Sequence, residues 1–135
     1  IVKGVMHPAD ATKCLEIGAD AIVVSNHGGI ASDAALAPIE VLPEIRREVG
    51  DKIPIIVDSG FRRGSDILKG LALGADAVII GRATLYGVAA AGETGAFRAL
   101  EILQSEIKRT MGVMGLTNLK DITRDHTVMP HEYPL

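Results

Sequence analysis

Short apolar runs alternate along this chain with amphipathic segments. The runs are continuously apolar, as strands are when a parallel sheet is covered on both faces. They predict strands at residues 1–3, 21–25, 55–58 and 77–81. The segments between them predict helices near residues 9–17, 39–49 and 65–73, then a short helix near 84–91 and a long one near 94–114. Because proline is disfavoured inside a helix, Pro43 leaves the first residue of the second helix undetermined.

One β–α unit occurs twice. LEIGADAIVVS at residues 15–25 is echoed by LALGADAVIIG at residues 71–81, and each copy ends a helix on a glycine before entering a strand. Gly18 and Gly74 suit the left-handed position that ends a helix. The alternation predicts an α/β fold with right-handed crossovers, either half of a (β/α)8 barrel or a small open sheet. No G-x-G-x-x-G motif follows a strand, which disfavours a dinucleotide-binding fold.

Polar residues collect where the predicted strands end. They are Lys3 after the first strand, Ser25 and His27 after the second, Asp58 and Arg62 after the third, and Arg82 after the fourth. In a parallel barrel these ends form one rim, which is where catalysis occurs. The clustering therefore favours the barrel over the open sheet.

Composition narrows the class of protein. The 135 residues suffice for one modest domain, and 47% hydrophobic with 23% charged residues excludes a disordered tail. A net charge of -3 and 3% aromatic residues give little support for nucleic-acid binding. No apolar run is long enough to span a membrane. The last residues, HEYPL, are not the S-K-L peroxisomal address, so we expect a cytoplasmic protein. Cys14 is the single cysteine, which excludes an internal disulfide, and we expect it on the inward face of a helix.

The segment DSGFRRGSD at residues 58–66 carries the features of a phosphate site. Its glycines allow close backbone approach, and Ser65 is expected to cap the next helix, whose N-terminus attracts an anion. Gly81 and Arg82 offer a further amide and a guanidinium after the last strand. A crevice after the last two strands of a barrel is a recurrent phosphate site. The alternative is that Arg62 and Arg63 pair with surface carboxylates.

His27 lies in the segment SNHGG, on a strand-end loop of small residues. Such a histidine is free to meet a ligand and can act as a base near neutral pH, although by itself it could equally be a loop residue. The other histidines are weaker candidates, since His7 precedes a proline and His126 and His131 lie in a polar tail. No His, Cys or carboxylate spacing resembles a metal site, so we predict no metal.

Four segments occur in an order that resembles a known family. They are IVKG, SNHGG, DSGFRRGSDILKGLALGADAVIIGR and LYGVAAAGETG. Together they resemble the C-terminal part of the FMN-dependent 2-hydroxy acid oxidases and dehydrogenases, which include glycolate oxidase, lactate oxidase and mandelate dehydrogenase. The resemblance implies that residues 1–123 are units five to eight of an FMN-binding (β/α)8 TIM barrel and that residues 124–135 form a tail. It also implies oxidation of a 2-hydroxy acid to the 2-oxo product.

Carried over residue by residue, the resemblance implies specific roles. His27 would take a proton from the substrate, from either its carbon or its hydroxyl, while two electrons pass to FMN. Lys3 would lie beside the pyrimidine edge of the flavin, where positive charge stabilises the reduced ring, and Ser25 would contact the flavin. The implied phosphate cradle consists of Asp58, Ser59, Gly60, Phe61, Arg62, Gly81 and Arg82.

Two departures from the family pattern open alternatives. The family reads H-G-G-R-Q, with the arginine gripping the substrate carboxylate, whereas Ile30 and Ala31 stand here. The first barrel half, which would supply an aspartate that orients the histidine, is absent, so we expect a fragment that pairs with that half or forms a homo-oligomer. The alternatives are an FMN- or phosphate-binding half-barrel without turnover, a branch with a non-carboxylate substrate, and another flavin or phosphate barrel, such as an isomerase, that shares only residues 58–82.

Overall fold

The computed structural model describes residues 1–129 and residue 132. Four strands alternate with four helices: β1 Val2–Lys3, α1 Pro8–Glu16, β2 Ile22–Val24, α2 Pro38–Val49, β3 Ile55–Val57, α3 Gly64–Ala72, β4 Ala77–Val78 and α4 Arg82–Met114. Short 3-10 turns lie at His27–Gly29, Gly50–Lys52, Leu119–Asp121 and Arg124–His126. The predicted order and type of these elements are confirmed, although the strands are shorter than predicted. Helix α2 begins at Pro38 and runs through Pro43.

The four strands form one parallel sheet in the order β1-β2-β3-β4. Spatial order therefore follows chain order with no reversal, as in a barrel, whereas a doubly wound sheet contains a switch point. Lys3, Val23, Ile56 and Ala77 are register partners across the sheet. Because side chains alternate along a strand, these four share one face of the sheet.

The hydrophobic core lies on the opposite face. Ile22, Val24, Ile55 and Val57 are fully buried there and pack with Val41, Leu42, Ile45 and Val49 of α2. Burying a side chain of this size contributes about 1.5–3 kcal/mol. Cys14 on α1 belongs to the same cluster, which confirms its predicted inward position.

An arginine fixes the amino-terminal ends of two strands. Arg46 on α2 donates from Nε to the Gly74 carbonyl oxygen at 2.7 Å and from Nη2 to Asp76 Oδ2 at 2.5 Å. Asp76 Oδ2 also accepts from the Ile55 backbone nitrogen at 2.7 Å. Gly74 has a φ of +108°, and a Cβ there would lie 2.8 Å from Arg46 Cγ, so both conformation and space require glycine.

The last helix is broken once. Ala91 and Gly92 leave helical geometry inside α4, which matches the two helices predicted near residues 84–91 and 94–114. The two parts cross at Gly87 and Gly95, where a Cβ on either residue would overlap the backbone of the other. Only the absence of side chains lets the two segments approach this closely.

The prediction that Ser65 caps α3 is wrong. The N-cap is Arg63, and Asp66 reaches back to accept from the backbone nitrogens of Arg62 and Arg63 at 3.1 and 2.9 Å. Glu106 from α4 accepts from the Gly64 nitrogen at 2.7 Å. Two carboxylates therefore occupy the start of α3, because ionised acceptors satisfy free helix amides better than a hydroxyl does. The backbone amides of Arg62, Arg63 and Gly64 are therefore not free to bind an anion.

The prediction that residues 124–135 form a separate tail stays a prediction. Residues 130, 131 and 133–135 lie outside the described residues, and His131 is among them. Within the described part, Met129 is buried in the core cluster. None of the described helices combines the length and apolarity needed to cross a bilayer.

Candidate active site

A cavity of about 310 Å³ lies at the carboxyl ends of the four strands. Nine of the ten predicted site residues line it: Lys3, His27, Asp58, Ser59, Gly60, Phe61, Arg62, Gly81 and Arg82. The tenth, Ser25, is 2% exposed and is not among the lining residues. The predicted rim is thus present in the structure, and the chemical roles of its residues stay predictions.

A lysine and an aspartate form an ion pair at one end of the cavity. Lys3 Nζ lies 2.8 Å from Asp58 Oδ2 and donates to Ser25 Oγ at 2.9 Å. Ser25 Oγ in turn donates to Asp58 Oδ2 at 2.8 Å. In the structure the Asp58 carboxylate pairs with the Lys3 ammonium group and accepts a hydrogen bond from Ser25. The phosphate contact that the resemblance implies for Asp58 stays a prediction, and because the carboxylate is negatively charged only the main chain of Asp58 could make it.

The pKa of Asp58 is lowered by this arrangement. Burial alone raises the pKa of the carboxyl, since it disfavours the charged form. Hydrogen bonds from Lys3, Ser25 and the Ser59 backbone, together with the charge on Lys3, outweigh burial and lower the pKa below its ordinary value. Asp58 is therefore ionised at neutral pH and keeps Lys3 in place.

His27 lies on a left-handed turn whose backbone is held by hydrogen bonds. Its own φ is 57°, and the two glycines after it have φ values of 70° and 76°. The His27 backbone nitrogen donates to Ser25 Oγ at 3.1 Å, and the Gly28 nitrogen donates to Ser59 Oγ at 2.9 Å. The imidazole is exposed and makes no hydrogen bond to any described residue. It is thus available to a ligand in the cavity.

Two arginines that line the cavity have no carboxylate partner among the described residues. Arg82 Nη2 donates to the Gly28 carbonyl oxygen at 3.2 Å, and the Arg62 side chain is exposed. Arg63 differs, because its Nε lies 3.1 Å from Glu106 Oε1. Pairing with a surface carboxylate, the alternative considered from the sequence, therefore describes Arg63 and not Arg62 or Arg82.

The two arginines and the start of α4 fit a phosphate group. Helix α4 begins at Arg82, so the backbone N–H groups of Arg82 and Ala83 have no acceptor within the helix. Helix starts of this kind bind anions, and both residues line the cavity. A Cβ added to Gly81 would have nothing within 4 Å, so the space in front of the helix start is open. The donor set of two guanidiniums and free amides suits the phosphate of FMN.

Phe61 has its side chain in the core. It is 6% exposed, and a Cβ on Gly70 would lie 3.0 Å from its ring. The ring therefore packs against α3, and the main chain of Phe61 is what remains for a cofactor contact.

Sequence reasoning missed three features of this site. Ala83 and Ile79 also line the cavity, and Ala83 could have been found as the residue after Arg82 at a helix start. The bond from Gly28 to Ser59 joins residues far apart in the chain, and no sequence pattern signals it.

No group of three or more His, Cys, Asp or Glu residues suited to a metal lies within the part of the chain that the structure describes.

Comparison with known proteins gives one consistent result. A family model described as FMN-dependent dehydrogenase matches residues 1–129. The (S)-mandelate dehydrogenase of Pseudomonas putida is 48% identical over 126 residues, covering 93% of this chain and 32% of the relative. The L-lactate oxidase of Nostoc sp. is 45% identical over 122 residues, covering 90% of this chain and 33% of the relative.

Solved structures show the same similarity. The crystal structure of the monotopic membrane protein (S)-mandelate dehydrogenase superposes with a TM-score of 0.88 at 48% identity and covers 92% of this chain and 33% of that one. A mandelate oxidase mutant with (S)-mandelic acid gives 0.84 at 42% identity, covering 87% and 35%. The fold is therefore part of a TIM barrel, as predicted. The chain spans about a third of the length of the curated relatives it matches.

Proposed function

Because the chain belongs to the FMN-dependent dehydrogenase family, we propose that it forms part of an enzyme that oxidises a 2-hydroxy acid to the 2-oxo acid. The substrate loses two electrons and two protons in this reaction. When bound, FMN accepts the electron pair. The observation that carries the proposal is one cavity that brings together a histidine ring without a hydrogen-bond partner and two arginines without a carboxylate partner among the described residues.

His27 is the group that takes a proton from the substrate. Its imidazole lines the cavity, is exposed and has no hydrogen-bond partner among the described residues. A base has to reach its proton directly or through one water, and a ring without competing partners can do so. The hydrogen bonds that hold its turn limit how far the ring can drift from the reacting atoms.

Lys3 supplies positive charge next to the flavin. Its Nζ is fixed by Asp58 and Ser25 at 2.8 and 2.9 Å, so the ammonium group cannot turn away from the cavity. A fixed positive charge favours the anionic form of the ring system that accepts the electrons. Ser25 acts mainly through Lys3 and His27, because it is buried.

Arg62, Arg82 and the first amides of α4 hold the phosphate of FMN. Two guanidiniums balance a phosphate dianion, and charge-assisted hydrogen bonds of this type are roughly twice as strong as neutral ones. Ser59, Gly60, Phe61 and Gly81 contribute the small or main-chain surface between phosphate and ring. On this proposal the electron-accepting ring of FMN would lie beside His27 and Lys3.

The test is reconstitution of the protein with FMN followed by an anaerobic substrate panel. We expect (S)-mandelate, L-lactate or glycolate to bleach the flavin absorbance, with the 2-oxo acid as product. FMN binding without bleaching by any of the three would instead support a flavin-binding half-barrel without turnover. Failure to bind FMN would contradict the proposal.

A second candidate function follows from Ile30. Its side chain is 74% exposed and lines the same cavity as His27. Lys3 already pairs with Asp58, and the two arginines are the groups proposed to hold the phosphate. An isoleucine cannot bind a carboxylate, so the substrate group that faces it would be uncharged, as in an ester of a 2-hydroxy acid.

Esters and acids of the same skeleton separate the two candidates. In the FMN-loaded protein, methyl mandelate should be oxidised with a lower KM than mandelate if the second candidate is right. Ile30→Arg should then reverse the preference by roughly tenfold or more, the effect of one charge-assisted contact. A preference for mandelate in the unaltered protein, unchanged in Ile30→Arg, would remove this candidate.

The apolar inner face of the sheet supports a proposal about partners. Ile56 and Ala77 share that face with Val23, which is already buried, and Ile1 and Ile79 beside the outer strands are 77% and 37% exposed. We propose that the rest of a barrel covers the exposed part of this face, supplied by an N-terminal half or by a second copy of this chain. Light scattering tests this proposal, because a dispersed monomer of these residues would contradict it.

Cytoplasmic location also stays a proposal.

A further inference from the structure

Two strained residues stand next to each other at the rim of the cavity. His27 and Ser59, with φ values of 57° and 78°, are the non-glycine residues with left-handed backbone among those described. This conformation is unfavourable for any residue with a Cβ and clusters at functional sites. A glycine would adopt it freely. What Ser59 adds to its position is therefore its hydroxyl group.

The Ser59 hydroxyl holds the turn that carries His27. Its Oγ accepts from the backbone nitrogen of Gly28 at 2.9 Å. The carbonyl oxygen of Gly28 accepts from Arg82 Nη2 at 3.2 Å. Gly28, the neighbour of His27 in the chain, is thus held through its N–H from the end of β3 and through its C=O from the end of β4.

Two further bonds hold the neighbouring amides of the turn. Ser25 Oγ accepts from the His27 nitrogen at 3.1 Å, and the Asn26 carbonyl oxygen accepts from the Gly29 nitrogen at 3.1 Å. Ser25 is itself bonded to Lys3 and Asp58, and its Oγ lies 3.4 Å from Ser59 Oγ. Ser59 differs from Ser25 in that its bond ties the peptide after His27 directly to the residues that follow β3.

We propose that Ser59 is a positioning residue for His27, in addition to any contact it makes with a cofactor. Its hydroxyl fixes the Gly28 peptide and, through it, the direction in which the imidazole enters the cavity. This inference rests on the proposed function, because it assumes that His27 moves a proton. A misplacement of about 1 Å costs on the order of a hundredfold in rate, so one such bond is enough to matter.

Two substitutions separate the hydroxyl from the backbone strain. Ser59→Gly removes both, whereas Ser59→Ala removes the hydroxyl and keeps the strain. We expect kcat in the FMN-loaded protein to fall in both variants, by roughly tenfold to a hundredfold. KM should stay within about twofold, since the hydroxyl acts through His27. Ser59→Gly should unfold at an equal or higher temperature than Ser59→Ala despite the same loss of turnover.

A double-mutant cycle tests whether Ser59 acts through His27. In a His27→Ala background, Ser59→Gly should cause no further loss of the residual flavin reduction rate. An equal loss in both backgrounds would overturn the inference, because Ser59 would then act elsewhere. Unchanged kcat in both single variants would overturn it as well.

Amide hydrogen exchange supplies a readout that does not depend on turnover. The Gly28 amide should exchange about fivefold faster in both Ser59 variants, the effect of losing one ordinary hydrogen bond. Unchanged Gly28 exchange would overturn the inference whether or not the protein is active. An FMN-loaded wild-type protein that oxidises no substrate, with faster Gly28 exchange in the variants, would overturn the proposed function instead, and the catalytic part of this inference with it.

Discussion

Lys3 and Asp58 join two strands that do not pair with each other. Lys3 ends β1 and Asp58 follows β3, and their side chains meet at 2.8 Å across the end of β2. Ser25, which follows β2, bonds to both of them. Three strand ends therefore converge on one ionic contact, which positions the lysine proposed to face the flavin.

Acid should weaken this contact in a defined pH range. The pKa of Asp58 is lowered in the folded protein, so its contribution to stability is complete above the ordinary carboxyl pKa of about 3.9. The contribution is lost as the pH falls below that value and through the folded-state pKa. Asp58→Asn should therefore lower the free energy of unfolding by about 1 kcal/mol at neutral pH and by less at roughly pH 3.

Urea unfolding at the two pH values measures this difference. Glu44→Gln is the matched control, since Glu44 is exposed and should change stability little at either pH. A deficit in Asp58→Asn that grows as the pH falls would contradict the direction of the pKa shift.

Neighbouring arginines should differ in their effect on FMN binding. Arg62→Met removes a guanidinium proposed to hold the phosphate and should weaken FMN binding by about tenfold or more. Arg63→Met, which removes the partner of Glu106, should leave it nearly unchanged. Fluorescence titration with FMN and with riboflavin measures both effects. Riboflavin has no phosphate, so equal losses for the two ligands in Arg62→Met would argue against a phosphate contact.

The crossing inside α4 should tolerate no side chain. Gly95→Ala places a methyl group against the Gly87 carbonyl oxygen, and overpacking of this kind costs about 1–3 kcal/mol or more. Gly112→Ala, in the same helix with open space around it, should be neutral or stabilise by up to about 1 kcal/mol. Thermal unfolding of the two variants checks the prediction. Equal melting temperatures would show that the two parts of α4 are not in contact in solution.

Arg46 should matter to stability far more than Arg47 does. Arg46→Met leaves the Gly74 carbonyl oxygen and Asp76 without their charged donor and should cost about 1.5–3 kcal/mol in the free energy of unfolding. Arg47→Met changes an exposed side chain and should cost less than about 0.5 kcal/mol. Chemical denaturation gives both values, and similar losses in the two variants would refute the assigned role.

Local sequence patterns were enough to predict the order of strands and helices. Buried parallel strands are continuously apolar, and Gly18 and Gly74 do adopt the left-handed conformation expected at helix ends. The rim was predictable because parallel strands bring their carboxyl ends together. His27, Arg62 and Arg82 therefore lie on one cavity, as the positions after each strand indicated.

The features that the sequence did not predict depend on contacts between residues that are far apart in the chain. Asp66 and Glu106 accept hydrogen bonds from the backbone amides at the start of α3. Glu106 can do so because α4 packs against α3, and the local sequence around Ser65 and Asp66 does not reveal that contact. The resemblance implies that Asp58 belongs to the phosphate cradle, which stays a prediction, and its bond to Lys3 is visible only in the structure. Contacts between residues far apart in the chain decide both cases. A single sequence contains no local pattern that predicts such contacts.

Anaerobic stopped-flow reduction of the bound flavin, compared between the wild-type protein and His27→Ala, tests most directly whether His27 is the base. With the substrate that bleaches the wild-type protein fastest, His27→Ala should reduce the flavin at least about a hundredfold more slowly while its Kd for FMN stays within about twofold. Reduction at the wild-type rate in His27→Ala would show that His27 does not take the proton and would contradict the mechanism proposed for this site.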